Sequence, residues 1–242
     1  PFHDPKSIKN VNNFLKNKKP LHGPGGNIRQ IKKRINKIFN FKSIHLTNSC
    51  TSALEICALI LKLKKTDEVI VPSFSFVTTA SSFARTGCKL RYCDIEKENL
   101  MPSFDQIKKC VSKNTKAVVI VHYQGYSVDY LDKLKDFCLK RKIFLIEDAA
   151  QAFGSYFKNK PLGSFGDFAC FSFFPSKNMA VGGEGGMVTT TRAEYADRLK
   201  RLINHGRSDD LEAMELGTNL RMSEVMAAIG RIQLKRVDGW SA

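Results

Sequence analysis

One lysine stands at the end of an apolar run, in Phe171-Ser172-Phe173-Phe174-Pro175-Ser176-Lys177-Asn178, and the turn Gly182-Gly183-Glu184-Gly185-Gly186 follows it. A cation in such a setting is costly to bury unless it has a task. An amine placed this way suits the capture of an aldehyde cofactor, the chemistry of pyridoxal phosphate. That cofactor asks for a lysine, a carboxylate at its ring nitrogen, an anion pocket and a flat partner for the ring. Asp148, in Glu147-Asp148-Ala149-Ala150-Gln151, is the candidate carboxylate. An anion there keeps the ring nitrogen protonated, so the ring can accept the electrons released at an amino carbon. Thr51 and Ser52 open a helix after a strand, where free amides and two hydroxyls form a phosphate site. Ser172 offers a third hydroxyl. Phe76 or Phe74 is placed to cover the ring face, and Gln151 to reach the ring hydroxyl.

Each residue also has a purely structural reading. Lys177 reads as a surface lysine after a strand, although the glycines behind it argue for a close backbone approach. Asp148 reads as the cap of a following helix, and Thr51 or Ser49 as an N-cap. Phe74 and Phe76 both read as core. Taken singly, the cap readings are at least as good as the chemical ones. Taken together, the set favours the cofactor. Glu147, the strand neighbour of Asp148, is predicted to point to the opposite side.

Alternating elements position these residues. Apolar runs at Val69–Val71, Lys89–Asp94, Ala117–Val121, Ile143–Ile146, Phe168–Phe173 and Met187–Thr190 read as strands. The runs without polar alternation suit strands buried on both faces. Helical spacing marks Thr51–Leu63, Val128–Lys140, Ala193–Ile203 and Ser223–Val237. The fold class is therefore α/β, an α/β/α sandwich around a mostly parallel sheet. Active sites of such sheets lie at the carboxyl ends of strands. The Ser49, Ser73, His122, Asp148 and Ser172 segments all fall there. The expected organisation is an N-terminal helical segment and loop over 1–40, a cofactor-binding domain over 41–207, and a loop and helix over 208–242.

The formal charge of +16 raises nucleic-acid binding as a possibility. The lysines are scattered over turns and helix faces, and no nucleic-acid motif accompanies them, so no nucleic-acid partner is expected. No apolar run is long enough to span a bilayer, and no signal pattern opens the chain, so no membrane partner is expected either. The seven cysteines form no CxxC pair, which favours small buried hydrophobes in a reducing cytoplasm over a disulfide framework or a metal site. The chain begins without Met and ends at Gly239-Trp240-Ser241-Ala242, just after an amphipathic helix. C-terminal truncation is the expectation.

With these residues assembled, the chain resembles the DegT/DnrJ/EryC1/StrS family of nucleotide-sugar aminotransferases, of the type I aspartate-aminotransferase fold. The resemblance runs through Thr47-Asn48-Ser49-Cys50-Thr51-Ser52-Ala53-Leu54, Val121-His122-Tyr123-Gln124-Gly125 and Glu147-Asp148-Ala149-Ala150-Gln151-Ala152. It continues through Ser172, Lys177, Gly183-Glu184-Gly185-Gly186, Asn204-His205-Gly206-Arg207 and Gly217-Thr218-Asn219-Leu220-Arg221. Many members have Gly where Cys50 stands. The resemblance implies that Lys177 carries pyridoxal 5'-phosphate and moves protons, and that Asp148 pairs with the ring nitrogen. It further implies that Gln151 meets the ring oxygen, Phe76 stacks on the ring, and Thr51, Ser52 and Ser172 bind the phosphate. Asn219 and Arg221 match a loop donated across a homodimer interface, so that sites are shared. Some relatives carry His at the lysine position and dehydrate; Lys177 argues against that branch. Members usually continue into a small C-terminal domain, which this chain would lack. The implied reaction moves an amino group from an amino acid, L-glutamate, to a nucleotide-linked keto-deoxy sugar, for amino sugars of a surface polysaccharide or glycoconjugate. Two other readings stand beside it: a type I transaminase for a non-nucleotide substrate, and an inactive paralogue that serves as a binding partner.

Overall fold

A computed structural model describes residues 5–17, 21 and 25–239. Gly23 and Pro24, in the loop expected within 1–40, lie outside the described residues, as do both chain ends. The chain begins with α1 (Pro5–Lys16) and α2 (Gly26–Phe39), then enters the sheet at β1 (Ser43–Thr47). Helix α3 (Cys50–Ile60), β2 (Glu68–Pro72), α4 (Val77–Ala84), β3 (Lys89–Cys93), α5 (Phe104–Cys110) and β4 (Thr115–Val121) follow. Then come α6 (Leu131–Lys140), β5 (Phe144–Asp148) and a small hairpin of β6 (Tyr156–Phe157) and β7 (Lys160–Pro161). The last elements are β8 (Phe168–Ser172), β9 (Gly186–Thr190), α7 (Ala193–Ile203) and α8 (Glu224–Gln233), with a short 3-10 turn after it.

The described residues form a seven-stranded sheet in the order β1-β9-β8-β5-β4-β2-β3. Pairings from β3 across to β8 are parallel, while β9 runs antiparallel to both its neighbours. The sheet is thus mostly parallel, as the alternation of elements predicts. Side chains of a strand alternate between faces, and both faces here are covered. Val118 and Ile120 of β4 join the core under α2, α6 and α8, whereas Ala117 and Val119 join the core under α3, α4 and α7. This explains why the central strands read as unbroken apolar runs.

Two helices go beyond those that periodicity predicts. Helix α4, Val-Thr-Thr-Ala-Ser-Ser-Phe-Ala, is poor in strong helix formers and is held by burial of Thr79, Ala80, Ser82 and Phe83. Helix α5 starts from a capping box, in which Ser103 Oγ accepts from Gln106 N and the Gln106 side chain accepts from Ser103 N. Where the sequence predicts a strand from Lys89 to Asp94, β3 ends at Cys93 and leaves Asp94 as the acceptor for Ser73 and Ile95. Five cysteines are buried (Cys57, Cys88, Cys93, Cys138 and Cys170), and burial pushes the Cys138 thiol up to about 12.

The N-terminal helices pack onto α8 across the whole length of the chain. Glu224, fully buried at the start of α8, accepts from Asn27 N at 2.8 Å and Ile28 N at 3.0 Å. Its carboxylate therefore caps the first turn of α2, where unpaired N–H groups and the helix dipole favour an anion. Gly25 leaves room for it: a Cβ there would stand 2.5 Å from the Glu224 carboxyl carbon. Glu224→Ala strands two buried N–H groups, at a cost of about 3 kcal/mol, which for a chain of this size is a Tm fall of roughly 6–12 °C. Thermal unfolding followed by circular dichroism checks it; an unchanged Tm contradicts the cap.

Candidate active site

The parallel strands all end on one side of the sheet, and a cavity of about 580 Å³ opens there. The start of α3 supplies Ser49, Cys50, Thr51 and Leu54 to its wall. The loop after β2 supplies Phe74, Ser75 and Phe76, the first turn of α4 supplies Thr78 and Thr79, and the end of β4 supplies Val121, His122 and Tyr123. Asp148, Ala150 and Gln151 come from the end of β5. Ser172, Phe174, Ser176, Lys177 and Glu184 come from the exit of β8 and the loop behind it.

Asp148 is the last residue of β5 and is buried. Its Oδ2 accepts from Thr79 Oγ1 at 2.7 Å and its Oδ1 from Ala150 N at 3.2 Å. Burial pushes its carboxyl above the ordinary carboxylate range, while the Thr79 hydroxyl, the Ala150 amide, His122 and Lys177 pull the other way. No helix follows it. The chain turns over Ala150 and Gln151, so the capping alternative becomes a two-residue turn closed by the Asp148 side chain.

Glu147 points to the opposite face, as strand alternation predicts. It accepts from Gly163 N at 2.8 Å, Phe165 N at 2.8 Å, Gly166 N at 2.5 Å and the His122 ring at 2.8 Å. Burial opposes its charge, but the His122 ring and the Gly166 and Gly163 amides hold its carboxyl below the ordinary range. Two consecutive carboxylates thus have opposite roles: one is saturated by the protein, the other keeps accepting capacity at the cavity.

Lys177 is half-buried, which corrects the expectation of a cation enclosed in an apolar run. The strand ends at Ser172; Phe173 after it is still buried, and the chain then turns outward with Lys177 N donating to Phe174 O at 2.9 Å. The lysine sits in the open wall, where its charge costs less than in the core. Lys177 and Asp148 line the same cavity, and the lysine is among the groups that draw the Asp148 carboxyl down against burial.

Ser49 is the N-cap of α3, its Oγ accepting from Ser52 N at 3.0 Å. Thr51 lines the cavity, whereas Ser52 is buried with its Oγ 3.0 Å from Ser49 Oγ and does not line it. Ser172 is buried at the end of β8, its Oγ accepting from Phe174 N at 3.3 Å. Gln151 lines the cavity and its Oε1 accepts from Gln124 N at 2.7 Å. Phe76 is 72% exposed at the cavity mouth, while Phe74 packs edge-on against Tyr123 with centroids 5.3 Å apart. Asn219 and Arg221 do not line the cavity. Asn219 bridges to Asn204, and Arg221 bridges to Thr47 and donates to Asn204 Oδ1.

Thr79 and the His122–Glu147 pair are the contributors that the sequence did not single out for roles. Thr79 lies three residues after Phe76, a spacing that shares one face of a helix. That signal becomes usable only once residues 77–84 are known to be helical. The glycine turn does bring backbones together: a Cβ on Gly186 would stand 2.6 Å from Cys50 N and against the Ser49 carbonyl. Strand β9 therefore lies directly beneath the first turn of α3.

Comparison with known proteins accounts for this arrangement. All of the chain, residues 1–242, matches the DegT/DnrJ/EryC1/StrS aminotransferase family. The chain belongs to that family. GDP-perosamine synthase of Vibrio cholerae is 38% identical over 194 residues, which are 78% of this chain and 51% of that protein. An aminotransferase structure from Psychrobacter cryohalolentis superimposes with a TM-score of 0.92 at 29% identity, covering 98% of this chain and 62% of that one. The pyridoxal-phosphate form of a putative sugar aminotransferase from Streptococcus pneumoniae superimposes with a TM-score of 0.88 at 25% identity, covering 99% and 66% respectively. The chain spans about half the length of the curated relatives it matches. Family membership and the α/β/α architecture agree with the resemblance carried by the motifs. Among the described residues no helix is long and apolar enough to cross a membrane.

Proposed function

We propose that this chain carries the cofactor site of a pyridoxal-phosphate-dependent aminotransferase that transfers an amino group from L-glutamate to a nucleotide-linked keto-deoxy sugar, for amino sugars of a surface polysaccharide or glycoconjugate. The observation that carries the reading is the convergence of Asp148, Lys177 and the first turn of α3 on one cavity. The residues fit the cofactor on their own chemistry. Asp148 is a buried carboxylate whose charge is opposed by burial and which gains from a cationic partner. The amides of Cys50 and Thr51 open α3 ahead of its first intrahelical bond and attract an anion, while that of Ser52 is taken by Ser49 Oγ.

Pyridoxal phosphate, when bound, supplies an aldehyde that captures amines and a cationic ring that spreads the electrons released at an amino carbon. Lys177 Nζ is the amine that would hold it and then carry a proton between the two reacting carbons. Asp148 would keep the ring nitrogen protonated, with Thr79 and Ala150 N fixing the carboxylate plane. Thr51, the α3 amides and Ser172 would take the phosphate, with Ser52 supporting Ser49 from behind. Phe76 would cover the ring, and Gln151 would donate to the ring oxygen.

A second copy of the chain belongs to this reading. Leu211, Met214 and Leu216 are 68%, 60% and 95% exposed on the excursion between α7 and α8 that also carries Asn219 and Arg221. Glu215 anchors that excursion through Arg198 at 2.8 Å and Arg201 at 3.2 Å. An anchored arm with an apolar tip suits a homodimer with shared sites. The test supplies the intact protein with pyridoxal phosphate, glutamate and nucleoside-diphosphate keto sugars, and follows amino-sugar formation by mass spectrometry. Amination is the expected result. Absence of any spectral response to glutamate and of any amino product would overturn the reading.

A further inference from the structure

The glycine turn over 182–186 displays a single side chain, that of Glu184. Its backbone is clamped before and after that residue. Gly182 has a φ of 80°, and a Cβ there would stand 2.8 Å from Ile229 Cδ1 of α8. A Cβ on Gly185 would stand 2.4 Å from Val181 Cγ2, and Gly185 O accepts from Phe173 N at 2.8 Å. Close packing against α8 and against the exit of β8 therefore fixes the turn, and the glycines let it approach. What the turn carries outward is one carboxylate.

That carboxylate is accessible and unused. Glu184 is exposed, lines the cavity, and makes no hydrogen bond or ion pair with any described residue. Asp148, the other carboxylate in the lining, is buried and held by Thr79. Phe74, Phe76 and Phe174 line the same cavity and are exposed as well. Open aromatic faces beside a free carboxylate suit a polyhydroxyl ligand. The rings cover its C–H faces, and the carboxylate accepts from its hydroxyls in charge-assisted bonds.

In an aminotransferase of this kind one cavity takes two substrates in turn, a dicarboxylate donor and a sugar acceptor. A fixed anion serves only the second. It bonds to hydroxyls, and it repels the far carboxylate of glutamate. We propose that Glu184 is a specificity-determining residue that accepts a hydrogen bond from a hydroxyl of the sugar and thereby favours the acceptor over the amino donor. This rests on the nucleotide-sugar reading above.

Glu184→Gln keeps the shape of the side chain and replaces a charged acceptor by a neutral one. The intact, cofactor-loaded protein is titrated calorimetrically with UDP-, GDP- and dTDP-glucose, which have no keto group to react, and with the free nucleoside diphosphates. For the conjugate that the wild type binds most tightly, Glu184→Gln is expected to bind about tenfold more weakly, the difference between a charged and a neutral hydrogen bond. It is expected to bind the free nucleoside diphosphate no more weakly than the wild type does. Because the residue is exposed, the Tm should stay within about 2 °C. In separate half-reactions the variant should react with L-glutamate at least as fast as the wild type, while its KM for a nucleoside-diphosphate keto sugar rises. Unchanged affinity for the glucose conjugate, equal weakening of conjugate and free nucleotide, or a slowed reaction with glutamate overturns this inference alone. A wild type that binds none of the conjugates and aminates no keto sugar overturns the functional reading and this inference with it.

Discussion

Lys177→Ala is expected to abolish borohydride-dependent attachment of pyridoxal phosphate to the protein and to lower kcat by at least about 10³-fold, the range for loss of a positioned nucleophile and proton carrier. The reason is local. Lys177 follows an outward turn and lines the cavity that Asp148, Thr51 and Ser172 also line. Alanine leaves the turn in place, because the Lys177 N to Phe174 O bond is made by the backbone. The variant should therefore fold as the wild type does and still take up the cofactor without a covalent bond. Peptide mass spectrometry after borohydride reduction reads the result. Label that persists on the variant, or label on another lysine in the wild type, would assign the reaction elsewhere.

Asp148→Asn is expected to act in two opposite directions. Without the anion the ring nitrogen loses its proton, and kcat should fall by about 10³-fold, comparable to removal of one preorganised electrostatic group. Stability of the cofactor-free protein should move the other way. Burial raises the folded-state pKa of Asp148 above its unfolded value. The folded state then binds the proton more tightly than the unfolded chain does. Its contribution is fully favourable below the unfolded value, near pH 4, and is lost as pH rises through the folded value. Asparagine can still accept from Thr79 and carries no charge to desolvate. The cofactor-free variant should therefore have a higher Tm than the wild type at about pH 8, and the difference should vanish towards about pH 3. Adding pyridoxal phosphate should reverse the order at pH 8, because only the wild type gains the pairing. A variant less stable than the wild type at every pH, without cofactor, would mean that Asp148 is already compensated within the chain.

These outcomes depend on features of different legibility. Lys177, Asp148, Thr51, Gln151, Ser172 and one of Phe74 and Phe76 could be nominated from spacing because each follows an apolar run, and parallel strands end on one side of their sheet; the resemblance alone chose Phe76. The placing of Ser52 behind Ser49 was not legible. On an N-terminal helical turn, adjacent residues diverge by about 100°, so one hydroxyl meets the cavity while its neighbour meets the cap. Thr79 escaped notice because α4 has a weak local signal and is a helix by virtue of what it packs against. Asn219 and Arg221 sit outside the cavity of their own chain, a placement that no spacing within one chain can specify.

By itself the sequence determined the α/β alternation and the mostly parallel sheet, since apolar periodicity is a property of neighbouring residues, and its motifs carried the resemblance to the family. It also determined that Glu147 and Asp148 face opposite ways, which the period of a strand imposes on any adjacent pair. Only the tertiary structure decided what each carboxylate meets. Glu147 is saturated by three amides and His122, whereas Asp148 accepts only from Thr79 and one amide and keeps capacity at the cavity; the partners come from different segments of the chain. Charge and hydrogen bonding in a buried site depend on distance through space, and chain order records that distance only within a single element.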